Sequence, residues 1–236
     1  MNRILMALGL AAAMALPFAA SAAETPIQPR IMVTGEGEAT VAPDMALLSL
    51  PVMREARTAR EALDANNSAM AAVIEALKSM GIADRDLQTA GLQIMPRYNY
   101  HNKPDGMQEA ELVAYQVANT LSVRVRDLAK AGEVIDKAVS LGVNQGGNIV
   151  FTNDDPSATL TEARKKAVAE ATAKARTLAQ AAGVELGRVL EIADQSFGSP
   201  PMPIEAKAFD RAVAAVPVQA GENAYRVQVN MTFELK

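Results

Sequence analysis

The chain has 236 residues, half of them hydrophobic but only 4% aromatic, with 23 Lys and Arg against 27 Asp and Glu for a net charge of −4. That mild acidity, with five Phe, four Tyr and no Trp, excludes the basic field and stacking platforms of a nucleic-acid binder. The absence of cysteine excludes thiolate nucleophiles, disulfides, iron–sulfur clusters and cysteine-based zinc sites.

Residues 1–23 read as a secretory signal peptide. Arg3 and the amino terminus give a positive start, residues 4–18 (ILMALGLAAAMALPF) are apolar, and Ser21-Ala22-Ala23 offers small residues before Glu24. The apolar run is shorter than the ~20 residues a spanning helix needs, so a retained anchor is the lesser alternative. Processing would leave an exported, soluble chain, periplasmic in a Gram-negative cell, with residues 24–30 as a short flexible lead.

Strands are predicted at 31–33 and 39–53, broken by Gly35-Glu36-Gly37. Apolar residues on both faces beyond Pro43 imply that the second strand is covered on both sides for part of its length. A helix follows over 54–80 with the stripe Leu63, Met70, Ile74 and Leu77, closed by Gly81. Residues 86–100 read as extended, with Leu92 and Ile94 on one face and a hairpin turn over 97–106. The return strand runs from Tyr115 through Val117, Leu121, Val123 and Val125. Asp127 can cap the next helix, 128–141. After a short strand at 148–152, Asp155 and Pro156 open a long helix ending at Ala182 and Gly183. Its inner stripe is read as Leu160, Ala163, Ala167, Ala171, Leu178 and Ala182. A strand at 188–193, an irregular Pro-rich loop at 197–223, and an alternating strand from Tyr225 to Leu235 complete the chain.

The strand–helix–strand–strand–helix–strand order between Ala39 and Thr152 is the split βαβ arrangement, with an α-β-β unit added. The fold class is α+β: a mainly antiparallel sheet with three helices packed on one face. One domain is expected over 31–236, with 31–153 and 154–236 as a candidate subdivision.

Three stretches carry a resemblance. They are Val33-Thr34-Gly35-Glu36-Gly37-Glu38 running to Val41-Ala42-Pro43-Asp44; Tyr115-Gln116-Val117 through Val123-Arg124-Val125-Arg126-Asp127-Leu128; and Glu162-Ala163-Arg164 through Leu178-Ala179-Gln180-Ala181-Ala182-Gly183-Val184. In order and spacing the chain resembles the SIMPL-domain family, in the bacterial branch of periplasmic immunogenic proteins. The resemblance implies an exported α+β protein without an established enzyme activity, associated with the cell envelope, oxidative-stress tolerance, antigenicity and self-assembly. It supplies no catalytic motif.

The residues themselves give little chemistry. Gly35-Glu36-Gly37 lacks the third glycine and the following helix of a dinucleotide site; a bulge, or a close approach of neighbouring backbone, is the expectation. His101 sits in a polar turn with no helically spaced carboxylate beside it. Asn153-Asp154-Asp155 lacks the calcium-loop pattern, and capping explains Asp155. Glu36 and Glu38 share a strand face and could pair or bind a ligand. Arg164, Lys165 and Lys166 read as a solvated face. No catalytic residue, metal site or cofactor is assigned, and the chain is read as a non-enzyme.

The apolar part of the Pro-rich loop, Pro200, Pro201, Met202, Val213, Val216 and Val218, is the candidate contact surface. Subunit packing is expected ahead of folding back on its own domain or touching a membrane. The leading reading is a self-associating envelope protein, a homo-oligomer with peripheral outer-membrane association in view. The alternative is a binding module for a small apolar or peptide ligand, seated between sheet and long helix.

Overall fold

The computed structural model describes residues 28–104, 107–195, 202–204 and 218–236. Residues 1–23, and Pro200, Pro201, Val213 and Val216 of the candidate contact surface, lie outside the described residues. The elements in chain order are β1 (Arg30–Val41), β2 (Met45–Ala56), α1 (Ala59–Ser79), β3 (Leu87–Asn102), β4 (Gln108–Val125), α2 (Ala131–Leu141), β5 (Ile149–Thr152), α3 (Ser157–Ala181), β6 (Leu186–Asp194), β7 (Met202–Ile204) and β8 (Glu222–Leu235).

The expected α+β, antiparallel architecture is present, but as two four-stranded sheets rather than one layer. One sheet has the order β3-β4-β2-β5. Every neighbour in it is antiparallel, so each helical crossover straddles one strand, which is the split βαβ arrangement. The second has β8 between β1 and β6, with β7 also paired to β8. Because β1 joins β8 from residue 30 to residue 41, a division at 153 and 154 cuts across this sheet.

Each sheet has its own core. In the first, Leu48, Val52, Leu121, Val123 and Val125 pack under Met70, Val73 and Leu77 of α1 and Val134 and Ala138 of α2. Helix α1 begins at Ala59, later than the stripe alone suggests, because Thr58 and Glu61 form a reciprocal capping box. Asn66 is fully buried beneath it and donates to the Val52 carbonyl at 2.8 Å and the Val117 carbonyl at 3.2 Å. The opposite face of β2 is covered in part: Met45 is buried, and Leu47, Ser49, Pro51 and Met53 are half-buried.

In the second core, α3 lies on β1 and β8. Its buried ridge is Ala163, Ala167, Ala171, Ala175 and Ala179, four residues apart throughout. Leu178 and Ala182, read as inward-facing, are exposed. An i, i+4 row of methyl groups keeps the helix axis close to the sheet, whereas a leucine in that row would hold it away.

The two glycines of Gly35-Glu36-Gly37 meet this ridge. Strand β1 runs through them without a register shift, so they mark no bulge. A Cβ on Gly35 would lie 2.6 Å from the Ala171 nitrogen and 2.7 Å from its Cβ. One on Gly37 would lie 2.5 Å from the Ala167 nitrogen and in collision with the Ala163 carbonyl. Across the ladder, Gly35 faces Val229 and Gly37 faces Val227, so bulk on β8 flanks the helix while β1 lies under it.

Helix α3 also satisfies the outer edge of β1. Lys166 donates to the Glu38 carbonyl at 2.7 Å, the Glu36 N–H donates to the Glu170 carboxylate, and Lys174 donates to the Thr34 carbonyl at 3.1 Å. Side chains four apart on the helix thus meet backbone groups two apart on the strand, and the edge is closed to further pairing.

The sheets are joined by a buried polar knot. Asn223 and Tyr225 of β8 both donate to Asn153 Oδ1 at 3.0 Å, and Asn153 donates to the Ala42 carbonyl at 2.8 Å. Burial raises the Tyr225 hydroxyl above its ordinary pKa.

Candidate functional site

Most of the acidic and basic residues singled out above have structural partners, and Glu36 is held through its backbone N–H. Asp154 pairs with Arg126 at 2.6 Å, and Arg126 also holds the buried Asp86 at 3.1 Å; these two carboxylates raise the guanidinium above its usual pKa. Asp155 accepts from the Ser157 N–H at 3.0 Å, which lowers its pKa. Helix α3 opens one residue later than expected, at Ser157, with Pro156 rather than Asp155 at the cap position, so Asp155 holds the turn just before the cap. Glu38 pairs with Arg226 at 2.6 Å. The Glu36 N–H first, and Lys174 second, hold Glu170 below the ordinary carboxyl range. Arg164 pairs with Asp194 at 2.8 Å and Lys165 with Glu162 at 2.7 Å. Among the described residues, no three His, Cys, Asp or Glu side chains come together as a metal site.

Of the candidate contact residues, Met202 lies in β7, opposite Ala224 of β8, and Val218 is half-buried. The seam between the sheet and the long helix is closed by the glycine–alanine contact. A cavity of about 160 Å³ lies elsewhere, lined by Leu48, Leu50, Ile135, Val139, Val143 and Ile149.

The feature that stands out from the surface is the β3–β4 hairpin. Strand pairing continues through His101 and Asn102, so most of the segment read as a turn is strand, and the reversal follows Lys103. Strand β2 accompanies β4 only from Tyr115 onward; beyond it the hairpin is a two-stranded arm with no third strand among the described residues. Every residue of β3 after Leu87 is exposed.

The arm has two chemically different faces. Ile94 lies opposite Val117, whose side chain is fully buried in the core, which places Ile94 on the core side of the sheet. Alternation puts Pro96, Tyr98 and Tyr100 on the same side, opposite Tyr115, Leu112 and Ala110. Leu92 joins them at a bulge opened by Gly91, whose φ is +71°. This stripe continues the core face outward past the start of α1, without a helix over it among the described residues. The other face carries ion pairs, Arg97 with Glu55 at 2.9 Å and, near the tip, Lys103 with Glu109 at 3.1 Å, and between them His101 Nε2 lies 3.5 Å from the Glu111 carboxylate.

His101 is therefore one rung of the arm's polar face. The sequence gives Leu92 and Ile94 a common face but assigns Tyr98 and Tyr100 to a turn. Their continuing two-residue spacing, 92, 94, 96, 98 and 100, is the signal that extends the strand.

Residues 31–233 match the family described as SIMPL, a protein of unknown function (DUF541). A 26 kDa periplasmic immunogenic protein of Brucella melitensis is 52% identical over 233 residues, covering 96% of this chain and 93% of the relative. The uncharacterized protein YggE of Edwardsiella ictaluri is 31% identical over 171 residues, covering 72% and 70%. The YggE of Escherichia coli K12 is 29% identical over 236 residues, covering 97% and 93%. With its two-sheet α+β core and its match along nearly the whole described length, the chain belongs to the SIMPL family.

Proposed function

We propose that this chain is an exported, non-catalytic protein of the periplasm that works by assembling with itself. The Brucella relative is named periplasmic and immunogenic, and the sequence has the layout of a secretory leader. The observation that carries the assembly reading is the arm: Leu92, Ile94, Tyr98, Tyr100 and Leu112 stand between 44% and 63% exposed on one face of the hairpin. Contiguous apolar surface of this kind marks a contact.

A contribution to oxidative-stress tolerance and peripheral outer-membrane association belong to the same proposal. Met32, Met95 and Met107 are exposed, and each thioether can accept an oxygen atom from a peroxide, releasing water and becoming a sulfoxide.

Light scattering on the processed protein across a micromolar concentration series tests the assembly reading. A mass of at least twice the chain is expected; a monomer throughout refutes it. The second reading, a small apolar ligand, rests on the cavity beside α2, and native mass spectrometry showing a co-purified ligand would favour it.

A further inference from the structure

We infer that the cavity between α2 and the edge of β2 is a binding site for a neutral, single-ring molecule carrying one hydroxyl, of the phenol class. This inference rests on the second reading above, that of a small apolar ligand, and names where the molecule sits and what it is.

The cavity follows from how β5 begins. Strands β2 and β5 pair from Met45/Thr152 to Leu48/Ile149, and the chain before Ile149 is loop. That loop is pinned to β2 at both ends. The Ser49 N–H donates to the Asn148 carbonyl at 2.8 Å, and the Asn144 N–H donates to the Pro51 carbonyl at 3.3 Å. The Asn144 side chain adds two bonds to the Met53 backbone, accepting from its N–H at 2.9 Å and donating to its carbonyl at 3.0 Å. Between these pins stand Gly146 and Gly147, which bring no side chain to fill the space beside α2. Leu48 and Leu50 of β2, Ile135 and Val139 of α2, and Val143 and Ile149 surround it.

Volume selects the size of the occupant. At about 160 Å³ the cavity is below the roughly 300 Å³ at which sites for drug-sized ligands begin. It matches the roughly 150 Å³ of an aliphatic cavity that binds benzene. One ring fits; a whole lipid or a peptide segment does not.

The lining selects the class. Six aliphatic side chains form the walls, and every lining residue is uncharged. A carboxylate or ammonium drawn inside would lose its hydration without a counter-charge. The polar members of the lining are Ser49, Gln145 and Asn148, and the last two are exposed on the loop. A side-chain amide offers both a donor and an acceptor, which suits a hydroxyl that needs both. Val139 lines the cavity and is 56% exposed, which places the mouth between α2 and the loop.

The probe is 4-fluorophenol, read by fluorine NMR against the processed full chain. A dissociation constant of about 1 mM or tighter is expected, within the efficiencies that molecules of about eight non-hydrogen atoms reach. The charged analogue 4-fluorobenzoate is expected to bind at least about tenfold more weakly, because the lining offers it no cation. Val139→Phe puts a ring into the mouth and is expected to weaken 4-fluorophenol at least about tenfold, since close-packed atoms leave no room for a second ring. The position is exposed, so the variant is expected to fold, which far-UV circular dichroism checks. Gln145→Ala/Asn148→Ala, at two exposed loop positions, is expected to weaken 4-fluorophenol about threefold or more and to leave fluorobenzene unaffected. This second variant decides the matter should Val139→Phe misfold.

Failure of the wild type to bind 4-fluorophenol saturably, equal binding of 4-fluorobenzoate, full affinity in a folded Val139→Phe, or unaltered affinity in the double variant overturns the site. An apolar molecule that co-purifies with the wild type and stays with Val139→Phe leaves the ligand reading standing and removes it from this cavity. If the wild type neither binds the probe nor carries a co-purified molecule, both fail.

Discussion

Replacing Gly35 or Gly37 by alanine separates two physical accounts of the first strand. If these glycines merely supplied backbone freedom, alanine would restrict the unfolded chain and stabilise the protein by about 0.4–1 kcal/mol. The packing of α3 predicts the opposite sign. At Gly37 the new methyl would stand 2.5 Å from the Ala167 nitrogen, where ordinary contacts begin at 3.4 Å, and the obstruction is helix backbone that no rotamer change can move. The helix must retreat by roughly 1 Å, and a gap of that size forfeits a quarter to a half of each dispersion well along the interface. Overpacking of this kind costs about 1–3 kcal/mol, and lifting the five-alanine ridge puts the expected value near the upper end. Urea denaturation followed by far-UV circular dichroism reads it: with m of about 2 kcal/mol/M, the midpoint should fall by about 1 M or more. Gly146→Ala, where a Cβ meets nothing within 4 Å, serves as the control and should move the midpoint little. A Gly37→Ala midpoint equal to or above the wild type would refute close approach as the reason for glycine.

Asn66→Ala removes the donor to two buried carbonyls and is expected to cost about 2 kcal/mol in the same urea assay, with an unchanged midpoint counting against the bridge. The carboxylates on and beside α3 set an acid dependence. Asp155, Glu162 and Glu170 all have lowered folded-state pKa values, so their contribution is complete above the ordinary carboxyl pKa of about 4.3 and is lost as pH falls below it. Glu170→Gln should therefore flatten the loss of stability between pH 5 and 3, and a slope identical to the wild type would remove Glu170 from that account.

Much of the fold is legible locally. The alternation of Val117, Leu121, Val123 and Val125, the cap at Asp127, and the Tyr225–Phe233 pattern each follow from nearest neighbours along the chain. What is not legible depends on partners far away. Gly35 and Gly37 read as a strand break because glycine weakens strands, yet they stay in β1 because Ala163–Ala171, some 130 residues later, need their space. Which α3 residues face inward depends on that same seam; Leu178 is more hydrophobic than Ala175 and Ala179, and it is nevertheless turned outward. In the candidate site, Asn99, Asn102 and Lys103 imitate turn chemistry, while cross-strand contacts to Glu109 and Glu111 carry the ladder onward. Among the described residues the arm also has no helix over it to complete its pattern. Its apolar face therefore resembles noise until the register is known.

The measurement that bears most directly on this account is the solution mass of the processed wild type beside Tyr98→Ser/Tyr100→Ser, by multi-angle light scattering at equal micromolar concentration. The account predicts a wild-type mass of two chains or more and a fall to a smaller species in the variant. A wild type that elutes as a single chain, or a variant of unaltered mass, contradicts it.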